Sequence, residues 1–114
     1  MRDLLTFKQL GELMNSSQQS CRDFFNCSCK ALDEMTSLAL KHGAYGSRLT
    51  GAGWGGCTVS LVAAEKIDAF IFSMKKEYYQ KLLPNVSLDD TMLDQYIFAS
   101  RPGSGCGIFE NLIV

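Results

Sequence analysis

Hydrophobic positions recur at helical spacing in two stretches near the start of the chain. The first runs from Thr6, a suitable N-cap residue, to about Gln18. The second runs from Ser28, which also suits an N-cap, to about His42, and Gly43 follows where helices commonly end. The inner stripe of this second stretch consists of Leu32, Met35, Leu38 and Ala39. The pattern predicts two amphipathic helices.

The spacing changes after these helices. Residues 45–50 and 57–62 have the short apolar or alternating pattern of strands, with a glycine loop between them. A third amphipathic helix is predicted over residues 64–81. Residues 85–94 are polar and predict an exposed connection with room for one helical turn. The last two predicted strands, residues 95–100 and 107–114, flank a turn.

This order of elements favours an α+β fold. We expect a two-layer, ferredoxin-like sandwich in which helices cover one face of a mostly antiparallel four-stranded sheet. The chain has 114 residues, 46% of them apolar, which is enough for one hydrophobic core. Without a repeat or a linker, residues 1–114 are expected to form one domain.

Charge and composition exclude several classes of partner. Eleven basic and twelve acidic side chains give a net charge of −1, so neither a nucleic acid nor a membrane partner is expected. No apolar run reaches the roughly 20 residues that a bilayer helix needs, and residues 1–5 lack the long apolar stretch expected of a signal peptide. Five cysteines without a regular framework fit a reducing compartment. A cytoplasmic protein is expected.

No cluster of side chains predicts a metal site. The three cysteines within residues 21–29 lack the spacing of a zinc knuckle, and the single histidine, His42, lies well beyond them. His42 is expected to cap the second helix rather than to catalyse. The aspartates of residues 85–94 are expected to belong to a solvated connection.

The glycine loop carries the strongest chemical signal. Four glycines within residues 51–56 allow repeated positive φ, and successive N–H groups there can meet an anion or a second main chain. On residue chemistry alone, a structural turn and an anion-contacting loop both stay open. The dinucleotide fingerprint requires a helix after the loop, whereas a strand is predicted here. The sequences of a P-loop and of a protein kinase are missing as well.

Two larger side chains beside the glycines allow alternative interpretations. Arg48 either contacts a phosphate or, as isolated arginines more often do, lies solvated or salt-bridged on its strand. Trp54 either stacks on a base or sugar or anchors the loop on a partner domain or on the helices. We favour the structural alternative in both cases.

The sequence GSRLTGAGWGGCTVSLV resembles the third glycine-rich motif of the GHMP small-molecule kinases. The stretches LGELMNSS, SCRD, CSC, LD and RPGSG are similar to the galactokinase and N-acetylgalactosamine kinase branch of that family. The resemblance covers about residues 7–112. At Gln18 the family often has histidine, so the resemblance does not carry over a polar contact from this turn.

The resemblance implies the C-terminal domain of an ATP-dependent sugar kinase. Such an enzyme phosphorylates the anomeric hydroxyl of galactose or N-acetylgalactosamine. In the family, the main phosphate-binding motif, the carboxylate base and the sugar contacts lie in an N-terminal kinase domain. That domain is the implied partner, and ATP and Mg2+ belong to the complete protein. The chain alone is expected to be inactive, and a non-catalytic regulatory or interaction domain is the alternative.

The same resemblance assigns candidate site residues by position. It implies no catalytic side chain and no metal ligand. It places Gly51, Ala52, Gly53, Gly55 and Gly56 next to the active site, with Ser47 and Thr50 as weaker flanking candidates. These positions are expected to act through backbone N–H donation or close main-chain packing.

Overall fold

The computed structural model describes residues 2–82 and 91–101. Two helices come first, α1 (Arg2–Asp23) and α2 (Lys30–Lys41). They are followed by two strands, β1 (Gly46–Leu49) and β2 (Thr58–Leu61). The remaining elements are a 3-10 turn at Ala64–Lys66, α3 (Ile67–Met74), a π-helical turn at Lys75–Tyr79, α4 (Gln80–Leu82) and a 3-10 turn at Thr91–Gln95.

The two strands form an antiparallel pair whose outer edge is covered by α1. Gly46 pairs with Leu61 at one end, and Leu49 pairs with Thr58 at the other. On the far side of β1, Asn15 Oδ1 accepts a hydrogen bond from the Ser47 N–H at 3.0 Å. Gln18 Oε1, one turn along α1, accepts from the Leu49 N–H at 2.8 Å. The side-chain amides of the helix therefore provide the hydrogen-bond acceptors that the backbone carbonyls of a neighbouring strand would otherwise provide.

Two glycines let the helix come this close. A Cβ atom on Gly46 would lie 2.6 Å from the Cα of Gly11, and a Cβ atom on Gly11 would overlap the carbonyl of Tyr45. Without side chains at these positions, α1 lies directly against β1, and Asn15 Nδ2 also donates to the Tyr45 carbonyl oxygen at 3.2 Å. The two glycines thus set the distance over which the amides reach the strand.

The hydrophobic core lies between α2 and α3. It consists of Ala39, Ala44, Phe70 and Met74, with Met35, Leu38, Val62, Ile71 and Ile97 packed around it. At the edge of this core, Glu77 lies 3.2 Å from His42 Nε2 and 3.5 Å from Lys41 Nζ. The interaction with His42, together with the charge of Lys41, lowers the pKa of the Glu77 carboxyl below its usual range. These contacts join the end of α2 to the π-helical turn.

Several sequence predictions are confirmed, but both N-cap predictions are wrong. The first helix, α1, begins at Arg2, so Thr6 lies inside it rather than at its N-cap. Both early strands form, the helical segment over residues 64–81 is present, and Gly43 follows α2 with a φ of +100°. However, α2 begins at Lys30, and Cys29 rather than Ser28 occupies its N-cap position. The Ser28 hydroxyl does not cap the helix backbone, since it donates to the side chain of Asp33 at Oδ1, at 2.6 Å.

The later part of the chain departs further from the sequence predictions. Residues 96–100 form no strand, and Tyr96 instead stacks on Tyr79, whose hydroxyl donates to the Tyr96 carbonyl oxygen at 3.1 Å. Leu93, predicted to lie in an exposed connection, is fully buried. The predicted strand over residues 107–114 lies outside the described residues, within which the sheet has two strands. Within the same ranges, no helix is both long and apolar enough to cross a bilayer.

The covering of the β1 edge yields a stability prediction. Asn15→Ala leaves the buried Ser47 N–H without its acceptor, so the free energy of unfolding should fall by about 1–3 kcal/mol. Urea denaturation measures this change. Ser16→Ala, at the exposed neighbouring position, is the matched control and should stay within about 0.5 kcal/mol of the unchanged chain. Equal effects of the two substitutions would contradict the role given to Asn15.

Candidate functional site

The glycine loop leaves the end of β1 and returns into β2. Its base is closed by Thr50, whose N–H donates to the Cys57 carbonyl oxygen at 3.0 Å and whose hydroxyl donates to the same oxygen at 3.4 Å. Thr50 thus acts at the base of the loop as a backbone and hydroxyl donor. The loop leaves the sheet at a fixed point.

Left-handed backbone runs through most of the loop. The φ angles are +73° at Gly51, +91° at Gly53, +60° at Trp54 and +89° at Gly56. Trp54 is the one loop residue with a side chain in this region, and L-residues adopt it at a cost. Contacts around Trp54 must therefore hold the loop in this shape.

Those contacts come from the connection between α1 and α2. The Trp54 N–H donates to the Cys27 carbonyl oxygen at 2.6 Å, and its indole Nε1 donates to the Asn26 carbonyl oxygen at 3.0 Å. Gly53 lies so close to the same Cys27 carbonyl that a Cβ atom would overlap it. One side of the loop is therefore pinned by hydrogen bonds and by main-chain packing on residues 26–27.

The opposite side of the loop is open. Cβ atoms built on Gly51, Gly55 or Gly56 would meet nothing within 4 Å. Ala52 is exposed, and the Trp54 side chain is 66% exposed although its indole nitrogen is tied down. The candidate residues thus form a rigidly held but uncovered surface, which suits contact with a neighbouring main chain or an anion.

A groove of about 880 Å³ begins beside this open surface. Its lining is mainly apolar and comes from the end of the loop, β2, α2, the α3 and π-helical segment and residues 95–101. Burial raises the pKa values of Tyr78 and Tyr79, which both line the groove, above their already high ordinary value. The Tyr79 hydroxyl accordingly acts as a donor.

Two side chains of β1, those of Ser47 and Arg48, make their contacts away from the loop. The Ser47 side chain is 1% exposed, and its hydroxyl lies 2.8 Å from that of Ser60 on β2. Arg48 Nη1 donates to the Ser17 hydroxyl at 3.1 Å, so the half-buried guanidinium is held against α1. Among the described residues it has no carboxylate partner. Of the two structural alternatives for Arg48, a salt bridge is therefore not seen in the described part of the chain, and the partly exposed guanidinium is bonded to α1.

The loop can donate hydrogen bonds but cannot hold a divalent cation by itself. Residues 50–57 contain no aspartate or glutamate, whose oxygens Mg2+ prefers as ligands. Across the described part of the chain, no three histidine, cysteine or acidic side chains gather as a metal site. Asp94 is paired with Lys75 at 2.6 Å. The residues present therefore fit one side of a phosphate-binding site and not its metal ligands.

Sequence reasoning missed the residues that support the loop. Asn26 and Cys27 act through their carbonyl oxygens, which no side-chain pattern reveals. Gln18 was assigned no polar contact, because it departs from the residue common in the resembled family. In the structure it is 6% exposed and makes polar contacts through both ends of its amide. The only local sequence feature that could have indicated this role is the presence of a glutamine within an amphipathic helix.

Comparisons with known proteins identify the family. Residues 1–80 match the model of the C-terminal region of GHMP kinases. The galactokinase of Dictyostelium discoideum is 42% identical over 106 residues, which cover 93% of this chain and 21% of that protein. The galactokinase of Saccharomyces cerevisiae is 44% identical over 107 residues, covering 91% and 20%. The chain spans about a fifth of the length of these curated relatives.

Solved structures agree with the sequence comparisons. Lactococcus lactis galactokinase complexed with galactose aligns with a TM-score of 0.61 and 34% identity, covering 69% of this chain and 20% of that one. The L. major mevalonate kinase in complex with R-mevalonate aligns with a TM-score of 0.57 and 30% identity, covering 61% and 22%. These neighbours share the α+β fold described above. The chain thus belongs to the GHMP kinase family and corresponds to its C-terminal region.

Proposed function

We propose that this chain is the C-terminal part of an ATP-dependent kinase that phosphorylates the anomeric hydroxyl of galactose or N-acetylgalactosamine. The observation that carries the proposal is the glycine loop, pinned on residues 26–27 and open on its other side. It belongs to a chain that aligns with galactokinases over about nine-tenths of its length. Galactose metabolism and a cytoplasmic location follow as parts of the same proposal.

The loop acts as one wall of the active site. Phosphoryl transfer depends on positioning and on electrostatic stabilisation of the phosphate oxygens, and backbone N–H groups supply both without a side chain. The open positions Gly51, Ala52, Gly55 and Gly56 lie against the nucleotide-holding neighbour, whereas Gly53 fixes the loop on Cys27. Thr50 supports the loop from its base, and Ser47 lies on the strand that leads into the loop. ATP, Mg2+, the base and the sugar contacts are supplied by the rest of the kinase.

An N-terminal kinase domain is the partner that this surface requires. Large apolar side chains are exposed along α1 and the turn that follows it, namely Leu5, Leu10, Leu13, Phe24 and Phe25. Several large apolar side chains exposed on one helix and the turn after it are typical of a surface that another domain covers. A four-stranded sheet, of which the described residues supply β1 and β2, is part of the same proposal.

Galactose is the first substrate to test. The Lactococcus lactis galactokinase to which this chain is similar was solved with that sugar. The loop contributes main-chain groups and no sugar-specific side chain, so the choice between galactose and N-acetylgalactosamine rests with the rest of the kinase. Both sugars therefore belong in the assay.

A chimera tests the proposed function directly. The matched segment of Dictyostelium discoideum galactokinase is replaced by this chain, and a coupled assay with ATP, Mg2+ and each sugar follows product formation. We expect turnover by the chimera, none by this chain alone, and none by the galactokinase lacking the segment. Turnover by the chain alone contradicts the division of roles. A folded but inactive chimera favours the non-catalytic alternative.

The open side of the loop yields a second prediction. Ala52→Leu adds an exposed side chain, so the stability of the isolated chain should change by no more than about 0.5 kcal/mol. In the chimera the same side chain intrudes on the nucleotide-holding neighbour, and kcat/KM should fall about tenfold or more. Ala69→Leu, at an exposed position of α3, is the matched control and should leave kcat/KM unchanged. Equal activity of both variants argues against an active-site wall.

A further inference from the structure

We infer that Gln18 is a positioning residue for the glycine loop, acting through the backbone N–H of Leu49 before the loop and through the side chain of Ser28 beside the support of the loop's crest. Its action on the loop stands on the contacts within this chain, and its effect on catalysis rests on the proposed function. Gln18 lies on α1 and is 6% exposed, and its amide is bonded to Leu49 and Ser28, both outside residues 51–56.

The Gln18 amide bridges two separate segments. Its oxygen Oε1 accepts a hydrogen bond from the N–H of Leu49, the last residue of β1, at 2.8 Å. Its nitrogen Nε2 donates to the Ser28 hydroxyl at 3.2 Å, and that hydroxyl donates in turn to Asp33 Oδ1 at 2.6 Å. One side chain therefore connects the strand that leads into the loop with the connection between α1 and α2.

These two segments are the places where the loop is held. The loop starts at Thr50, directly after Leu49, and its crest is held by the carbonyls of Asn26 and Cys27, directly before Ser28. Gln18 thus joins the start of the loop to the support of its crest. Losing this bridge frees one support relative to the other, which weakens the hold on the strained backbone of Trp54.

The partners also dictate which side chains can replace Gln18. The Leu49 N–H requires an acceptor. The Ser28 hydroxyl has already given its hydrogen to Asp33, so it requires a donor. A neutral histidine offers one acceptor nitrogen and one donor nitrogen, whereas methionine fills a similar volume with neither. Gln18→His should therefore preserve the bridge, and Gln18→Met should break it.

Trp54 provides a direct probe of the crest. It is the single tryptophan of the chain, so its indole N–H gives one assignable resonance in a ¹H–¹⁵N spectrum. That proton is the one donated to the Asn26 carbonyl oxygen, and its exchange with solvent reports how often this bond opens. The amide of Met74 in the buried core reports global opening of the fold.

Hydrogen exchange in the isolated chain tests the positioning role. In Gln18→Met, we expect exchange of the Trp54 indole proton to accelerate about tenfold while the Met74 amide keeps its rate. Gln19→Met, at the exposed neighbouring position, is the matched control, and Gln18→His should stay within about twofold of the unchanged chain. Acceleration of Trp54 and Met74 together would show a purely structural residue and overturn the inference, as would an unchanged Trp54 rate.

A milder variant keeps the test decisive if Gln18→Met does not fold. Ser28→Ala leaves Gln18 in place but removes the partner of its Nε2 atom, at a position that is half-buried. We expect the Trp54 indole proton to accelerate in the same direction by a smaller factor, again with the Met74 amide unchanged. An unaltered Trp54 rate in this folded variant overturns the inference.

Kinetics of the chimera test the catalytic consequence separately. Gln18→Met should lower kcat about tenfold with the KM for galactose unchanged, because the loop wall moves while the sugar contacts lie elsewhere. Gln18→His should restore kcat. If Gln18 only stabilised the fold, Gln18→Met and Gln18→His chimeras that are folded to the same extent should have the same kcat. If the chimera with the unchanged chain is inactive, the proposed function fails. The exchange measurement then still decides the inference about Gln18.

Discussion

Two side-chain amides on α1 close the outer edge of β1, and the rest of the described structure depends on this contact. Buried strand edges need partners for every second N–H, and Ser47 is 1% exposed on such an edge. Asn15 and Gln18 provide the acceptors, one helical turn apart. The absence of side chains at Gly11 and Gly46 sets the distance at which these bonds form. Helix, strand and loop are consequently built as one unit.

The functional surface follows from that unit. The loop begins at the end of β1, where the Thr50–Cys57 hydrogen bond fixes its base. The connection after α1 holds the crest of the loop through the Cys27 and Asn26 carbonyl oxygens. The remaining face carries main-chain groups and few side chains. Such a face suits a wall of an active site whose reacting groups lie elsewhere. This agrees with membership of the GHMP kinase family and with a chain spanning about a fifth of its galactokinase relatives.

The sequence was informative where structure follows local periodicity. Helical spacing located α1, α2 and the long segment after β2, and the glycine cluster located the loop. The π-helical turn at Lys75–Tyr79 went unpredicted because it leaves the apolar spacing of the helix nearly unchanged. The strand predicted over residues 95–100 is not formed. Gln95 ends a 3-10 turn and Tyr96 contacts Tyr79, and an alternating pattern reveals neither feature. Gln18 was missed because its partner Leu49 lies 31 positions away, beyond any local pattern.

Amide hydrogen exchange at Ser47 and Leu49 in the unchanged chain tests the central claim most directly. Both N–H groups face away from β2 and are bonded to side chains of α1. If those amides replace a strand, Ser47 and Leu49 should be protected as strongly as Thr50, whose N–H bonds to Cys57 across the strand pair. Exchange of Ser47 and Leu49 at the fast rates of an open sheet edge, with Thr50 protected, would contradict the account.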